Sequence, residues 1–317
     1  MTRCVALSGG VGGAKLALGL SKVLPGEDLL VVANTGDDFE HLGLTICPDI
    51  DTLLYTLGGI ANPKTGWGRA EESWHVLDAL KKISGEAWFQ LGDKDLSLHM
   101  TRTGRLASGA GLNRVTQELA KSLGISHEII PMCDEPVRTI VETTIGPLPF
   151  QHYFVKNRCE PVVTGFQFAG ADQATPNPKF IQALKDPALD VVIICPSNPF
   201  ISIDPILSLP GLKEALALCR APIVAVSPIV GGHALKGPAA KMLTELGLKS
   251  DATAIADHYG DLLDGFVIDT KDADLAASME TENHRILVTN TVMESLDDRI
   301  SLARDILSFA TDLRVAR

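Results

Sequence analysis

Four aspartates fall within fifteen positions of one another: Asp37, Asp38, Asp49 and Asp51. The first pair closes the segment Asn34-Thr35-Gly36-Asp37-Asp38, which follows the apolar run Leu29–Ala33. The second pair follows Ile46-Cys47-Pro48. A chain that doubles back between the pairs brings all four carboxylates to one side of a sheet. Magnesium is a hard ion that takes one or two carboxylates together with waters and substrate phosphates. Such an ion neutralises the charge of a phosphoryl centre under attack. Asp37 and Asp51 are the stronger metal or substrate candidates. Asp38 reads also as a loop aspartate, and Asp49 reads equally as a helix cap.

A glycine loop, Ser8-Gly9-Gly10-Val11-Gly12-Gly13, follows the apolar run Val5–Leu7 and opens a helical stretch containing Lys15. Glycines allow a tight turn and close approach to a ligand, and a helix start offers free N–H groups to an anion. The plain alternative is a strand–helix turn packed for steric reasons. The loop departs from both common nucleotide motifs. A dinucleotide fingerprint begun at Gly10 needs glycine at Lys15. A Walker loop begun at Gly9 needs glycine at Ala14 and a hydroxyl at Leu16. Any magnesium must therefore be held by carboxylates elsewhere.

Three later segments offer further polar groups. Gly92-Asp93-Lys94-Asp95 follows Ala87–Leu91 and sets a cation between carboxylates. Lys94 there can meet a phosphate as a point charge, or simply be solvated. His99 is a proton-transfer candidate, although a lone histidine is more often structural. Pro196-Ser197-Asn198-Pro199 follows Val191–Cys195, and Ser227-Pro228-Ile229-Val230-Gly231-Gly232 follows Ile223–Val226. With Lys236 downstream, the last loop reads as a second anion pocket or as a glycine-rich connection. Trp67, Trp74 and Trp88 offer planar faces to a ligand or to core and lid packing.

The elements that must position these groups are five short apolar runs, each ending in one of these loops. Ligands bind at the carboxyl ends of parallel strands in an open α/β sheet. Helical patterns at Ala14–Leu24, Asp49–Leu57, Gly109–Leu123 and 296–313 alternate with the strands, and Gly265–Asp269 and Arg285–Val288 add two more. The expected fold is α/β: a Rossmann-like, open, mostly parallel sheet with helices on both faces. Between 136 and 170 the character changes. Val137–Thr144, Gln151–Lys156 and Pro161–Phe168 are rich in β-branched and aromatic residues, and predict a β-rich insertion within one domain spanning 1–317.

The chain has 317 residues, 45% hydrophobic, with net charge −11. That balance disfavours a nucleic-acid-binding surface. No apolar run reaches the about 18 residues of a membrane-spanning helix. The six cysteines are scattered, without zinc spacing, and read as reduced core thiols. Met1-Thr2-Arg3-Cys4 leads directly into a strand, so the expectation is a cytoplasmic protein without a signal peptide.

Taken in order, Ser8–Lys15, Asn34–Asp38, Cys47-Pro-Asp-Ile-Asp-Thr-Leu-Leu-Tyr-Thr-Leu57, Leu91–Asp95, Pro196–Pro199 and Ser227–Gly232 resemble the CofD family across almost the whole chain. These are the 2-phospho-L-lactate transferases of deazaflavin coenzyme biosynthesis. The resemblance implies a guanosine diphosphate-linked phospholactate, or its phosphoenolpyruvate-derived counterpart, as donor. It implies the ribityl hydroxyl of the deazaflavin Fo as acceptor, GMP as leaving group, Mg²⁺ as cofactor and a homodimer. On that resemblance, Asp51 and Lys94 match the acceptor-binding aspartate and basic residue. Asp37 and Asp51 match the metal carboxylates, with Asp38 and Asp49 beside them. The implied catalytic set is Asp51, Lys94 and Asp37. Gly10, Gly12, Gly13, Lys15, Asn34, Ser197, Asn198, Ser227, Gly231 and Gly232, together with Asp51 and Lys94, form the expected substrate site.

Two other readings compete. A related family of regulatory proteins shares the fold and the glycine loop and binds nucleotide-sugars without clear catalysis. The Pro48–Asp51 and Leu91–Asp95 segments favour the transferase. A nicotinamide-dependent oxidoreductase needs a cleaner glycine fingerprint than one carrying Lys15.

Overall fold

The computed structural model describes residues 2–83, 85, 87–281 and 284–316. From the amino end run β1 (Cys4–Ser8), α1 (Gly10–Val23), β2 (Leu29–Ala33), a hairpin of β3 (Phe39–His41) and β4 (Leu44–Ile46), and α2 (Pro48–Leu57). Next come α3 (His75–Ile83), α4 (Asp93–Ala107), α5 (Leu112–Ser122) and β5 (Glu128–Pro131). β6 (Arg138–Thr143), β7 (Leu148–Pro149) and β8 (Val163–Ala169) form a separate antiparallel sheet in the order β7-β6-β8. The α/β alternation resumes with α6 (Pro178–Lys185), β9 (Val191–Ile194), α7 (Asp204–Leu207), α8 (Leu212–Ala217) and β10 (Ile223–Val226). It ends with the hairpin β11 (Ile229–Val230) and β12 (His233–Ala234), then α9 (Ala239–Glu245), α10 (Ala252–Tyr259), β13 (Gly265–Asp269), α11 (Ala276–Met279), β14 (Arg285–Thr289) and α12 (Leu296–Ala316).

Seven strands make one parallel sheet in the order β14-β13-β10-β9-β1-β2-β5. The order reverses between β1 and β9. In a doubly wound sheet the crevice at that reversal is where ligands sit. β1, β9, β10 and β13 are buried at every position, as a parallel sheet covered on both faces requires. The period-2 alternation divides the core in two. Cys4 and Ala6 face α1, α2, α5 and α12, whereas Val5 and Leu7 face the side covered by α6, α8 and α10.

The structure corrects the strand reading in two places. Ala87–Leu91 is not a strand. Trp88 and Phe89 leave the sheet and pack with Phe39 and His41, at ring separations of 4.8 to 6.0 Å. Aromatic burial, not sheet pairing, explains that apolar run. The missing strand is β5, only four residues long, at the sheet edge beside β2. Likewise Gln151–Lys156 forms a π-helical turn over His152–Lys156 that buries Tyr153.

Among the described residues no helix is long and apolar enough to cross a membrane. Among the described residues none of the six cysteines forms a disulfide, and five of them are buried.

Candidate active site

The glycine loop sits at the reversal, against the loop that follows β9. Ser197 clamps it: the Gly9 N–H donates to Ser197 Oγ (3.2 Å), and that hydroxyl donates to Gly9 O (2.8 Å). A Cβ at Gly12 would collide with Pro196 O, and one at Gly13 would press on the Ser8 and Ser197 hydroxyls. Gly12 and Gly13 therefore let α1 dock on the β9 loop. Gly10 differs. Its φ of +65° requires glycine, while the space beyond its Cα is open. The docking gives a direct expectation. Gly12→Ala should cost about 1–3 kcal/mol by overpacking against backbone that cannot yield, read as a lower urea midpoint.

The Gly10 N–H, at the start of α1, donates to Asp49 Oδ1 (2.7 Å). Asn34 Nδ2 donates to Asp49 Oδ2 (2.9 Å) and to Ile201 O (3.1 Å), while its Oδ1 accepts from Gly36 N (2.8 Å). Asp49 thus does not cap its own helix, which begins at Pro48 after Cys47. It ties the start of α2 to the glycine loop and to the β2 loop.

The four aspartates are all buried, and they sort into two pairs. Asp37 faces Asp49 and Asn34; Asp38 faces Asp51, Cys47, Arg102 and Arg138. Asp37 Oδ1 and Asp38 Oδ1 are buried without a hydrogen-bond partner. Burial, with the negative charge of Asp49 and Asp38, raises the Asp37 carboxyl well above its ordinary range. Burial, with a smaller push from the Asp51 charge, raises Asp38 to about 8 against the neighbouring arginines and Cys47. Asp49 rises to about 6 through burial, held back by Asn34 and Gly10. Asp51 differs: both its oxygens accept from Arg102, Oδ2 at 3.2 Å from Nη1 and Oδ1 through a shorter contact with Nη2.

These carboxyls give a pH dependence whose sign is fixed. In the unfolded chain they titrate near 3.8; in the fold Asp49 and Asp38 titrate near 6 and 8. The folded protein keeps protons that the unfolded chain has released. The contribution of these two carboxyls to stability is therefore full below about pH 4 and is lost as pH rises to about 8, by up to about 1.4 kcal/mol per unit per carboxyl. In chelator, Tm should be lower at pH 8 than at pH 5, and Asp38→Asn should remove much of that slope. Identical slopes in the two proteins would contradict it.

Among the described residues no three His, Cys, Asp or Glu side chains converge as a protein-only metal cage requires. Magnesium asks for less, namely one or two carboxylates and room for waters and phosphate oxygens. Asp37, with an unpartnered buried oxygen, and Asp49 beside it meet that requirement. A buried, uncompensated carboxylate is costly until a cation or a proton joins it.

Lys15 points the other way. Its Nζ donates to Met293 O (2.7 Å), and burial followed by the charges of Arg299 and Lys236 lowers its pKa. Lys236 donates to Thr65 O (2.5 Å). Lys94 lies in the first turn of α4, solvent-exposed, 3.5 Å from Glu71 Oε2. Glu72 accepts from the backbone N–H groups of Lys94 (2.9 Å) and Asp95 (2.7 Å) and so anchors that helix start. Asn198 caps the turn after β9 through Phe200 N (3.0 Å). Ser227 closes its own turn with Ile229, and Gly231-Gly232, both with positive φ, form the β11–β12 hairpin turn. Asp272 accepts from Gly231 N (3.0 Å). Trp67 and Trp74 are exposed, and Trp88 belongs to the aromatic cluster beside β3.

A cavity of about 190 Å³ opens beside the cluster, lined by Thr35, Asp38, Glu40, Thr45 and Arg138 among others. A larger one, about 370 Å³, lies near Arg3, Asp28 and Lys179 at the amino ends of the strands. That is the wrong edge of a parallel sheet for chemistry.

Sequence reasoning missed Arg102 and Tyr55. The signal was the spacing Asp95, His99, Arg102, which is i, i+4, i+7 and puts three polar groups on one helix face. It becomes visible only when Asp93–Ala107 is read as a helix rather than a loop.

The arrangement is suited to phosphoryl chemistry: paired carboxylates, a glycine loop at the sheet's reversal and a small cavity beyond the carboxyl ends of β2 and β5. Comparison with known proteins bears on which chemistry. Residues 4–302 match the family described as 2-phospho-L-lactate transferase CofD. The phosphoenolpyruvate transferase of Streptomyces coelicolor is 39% identical over 99% of this chain and 100% of its own. The 2-phospho-L-lactate transferase of Methanocaldococcus jannaschii is 38% identical over 97% and 98%. Among solved structures, a UPF0052-family protein of Bacillus halodurans superposes with TM-score 0.63 over 96% of this chain and 98% of its own, at 16% identity, a likeness of fold. Full-length similarity to relatives bearing both activity names makes this chain a member of the CofD family, an enzyme of the phospholactate or phosphoenolpyruvate transferase type.

Proposed function

We propose that the enzyme moves a phospholactyl or phosphoenolpyruvyl group from a guanosine diphosphate-linked donor to the terminal ribityl hydroxyl of Fo. The hydroxyl oxygen forms the new P–O bond, the phosphoanhydride bond to GMP breaks, and the hydroxyl proton passes to a carboxylate of the cluster. The observation that carries this reading is the buried pairing of Asp37 with Asp49, whose Oδ1 accepts the N–H of Gly10 in the glycine loop. Asp37 and Asp49 hold Mg²⁺ in this reading. The ion, when bound, supplies charge neutralisation at the phosphates. The N–H groups at the start of α1 face the donor's phosphates. Asp51 orients the acceptor, and Lys94 reaches it by swinging away from Glu71. Transfer is direct and in line, because phosphoryl transfer needs positioning and electrostatics rather than a covalent intermediate. Six cysteines outside any disulfide suit a reducing cytoplasm, and we extend the family expectation of a homodimer to this chain.

Purified protein is incubated with Fo, Mg²⁺ and each guanosine-linked donor in turn, with products read by mass spectrometry. GMP release together with a mass-shifted deazaflavin supports the proposal, and the donor that turns over names the three-carbon acid. Folded protein that binds a nucleotide-sugar tightly and yields no product with any donor overturns it in favour of the regulatory reading.

A further inference from the structure

Arg102 is the bulkiest fully buried side chain among the described residues. It lies on α4, and its partners lie on three elements. Nη1 and Nη2 hold both oxygens of Asp51 on α2. Nη1 also donates to Thr45 O on β4 (3.3 Å) and lies 3.3 Å from His99 Nδ1 on its own helix. His99 stands between two carboxylates, its Nδ1 3.6 Å from Asp51 Oδ2 and its Nε2 3.2 Å from Asp95 Oδ1. Asp95 in turn accepts from Tyr55 Oη, on α2 one turn beyond Asp51. Arg69 lies over the Tyr55 ring at 5.9 Å and donates to Lys94 O (3.4 Å). Asp51 and Tyr55 on α2 are thus zipped to Asp95, His99 and Arg102 on α4, and the zip ends beside Lys94.

A buried ion pair is a poor device for stability, since an apolar pair of similar volume often does as well or better. Its best-attested use is to fix one register between elements. Here the geometry specified is that of Asp51, at the edge of the aspartate cluster.

We infer that Arg102 is a positioning residue for the transfer: it fixes Asp51 in the orientation that meets the acceptor hydroxyl and registers the first turn of α4 to it. The inference rests on the proposed reading in which Asp51 binds the acceptor. Arg102→Lys keeps the buried charge but loses the two-pronged grip. Its kcat/KM for Fo should fall about 10–100-fold, the cost of misplacing a positioning group by about an ångström. KM for the donor should stay within about twofold, and the far-ultraviolet spectrum should be unchanged. Folded Arg102→Lys with kcat/KM for Fo within threefold of wild type overturns the inference alone. So does a KM for the donor that rises as much as the KM for Fo. Wild-type protein that transfers to no deazaflavin overturns the acceptor reading as well. Should Arg102→Lys fail to fold, ¹⁵N-arginine spectra of the wild type decide. The buried guanidinium resonance should move on adding Fo and not on adding GMP; no movement with Fo overturns the inference.

Discussion

Asp37→Asn should lower kcat by about 10²–10³-fold, the usual cost of removing one group that stabilises developing charge, while raising the Tm of the metal-free protein. The two effects share one cause. Asp37 is buried, its Oδ1 has no partner, and the charges of Asp49 and Asp38 face it. A carboxylate in that position is held against its own solvation and is costly to the fold in the absence of a cation. Asparagine removes the charge at nearly constant volume, so the fold gains what the site loses. The checking measurement is a magnesium titration followed by thermal unfolding. Wild-type Tm should climb with Mg²⁺ by mass action, more steeply at pH 8 than at pH 5, because Asp49, pushed up to about 6, has lost its proton at the higher pH. The Asp37→Asn climb should be nearly flat. A variant that keeps kcat within threefold of wild type at saturating Mg²⁺ would remove Asp37 from the metal site.

The sheet was legible because its signals are local. Leu29–Ala33, Ile223–Val226 and Gly265–Asp269 are short apolar runs bounded by turn residues, and the structure returns them at the same bounds. β5 was not legible, since Ile129 and Ile130 are too few to stand out as a run. Trp88 and Phe89 were misleading for the opposite reason: their apolarity serves a side-chain cluster, which leaves no period to read. The acidic segments were visible in the sequence, but their sorting was not. Nothing in the spacing says that Asp49 bonds the glycine loop, or that Asp51 turns to a residue 51 positions away. Ser197 is similar. A hydroxyl at a strand end reads as a ligand group, and the fold uses it to clamp Gly9, 188 positions distant. Long-range partners of this kind are set by topology, which a one-dimensional pattern does not contain.

The second large effect is on stability. Arg102→Met should cost about 3–5 kcal/mol, the range found when one partner of a buried ion pair is removed. Methionine fills most of the volume, so the loss is electrostatic rather than a cavity. Asp51, buried beside Asp38 and Asp49, is then left without its guanidinium partner. Against a total stability of about 5–15 kcal/mol, such a loss brings the variant close to unfolding at 37 °C. The double variant Asp51→Asn with Arg102→Met removes both charges and should recover most of the loss, because an uncharged pair owes no desolvation. Urea unfolding of the wild type, the two single variants and the double variant yields the coupling energy of the pair. A coupling below about 1 kcal/mol is typical of exposed, hydrated pairs. That result would mean that water reaches Asp51, and the rigid grip assigned to Arg102 would go with it.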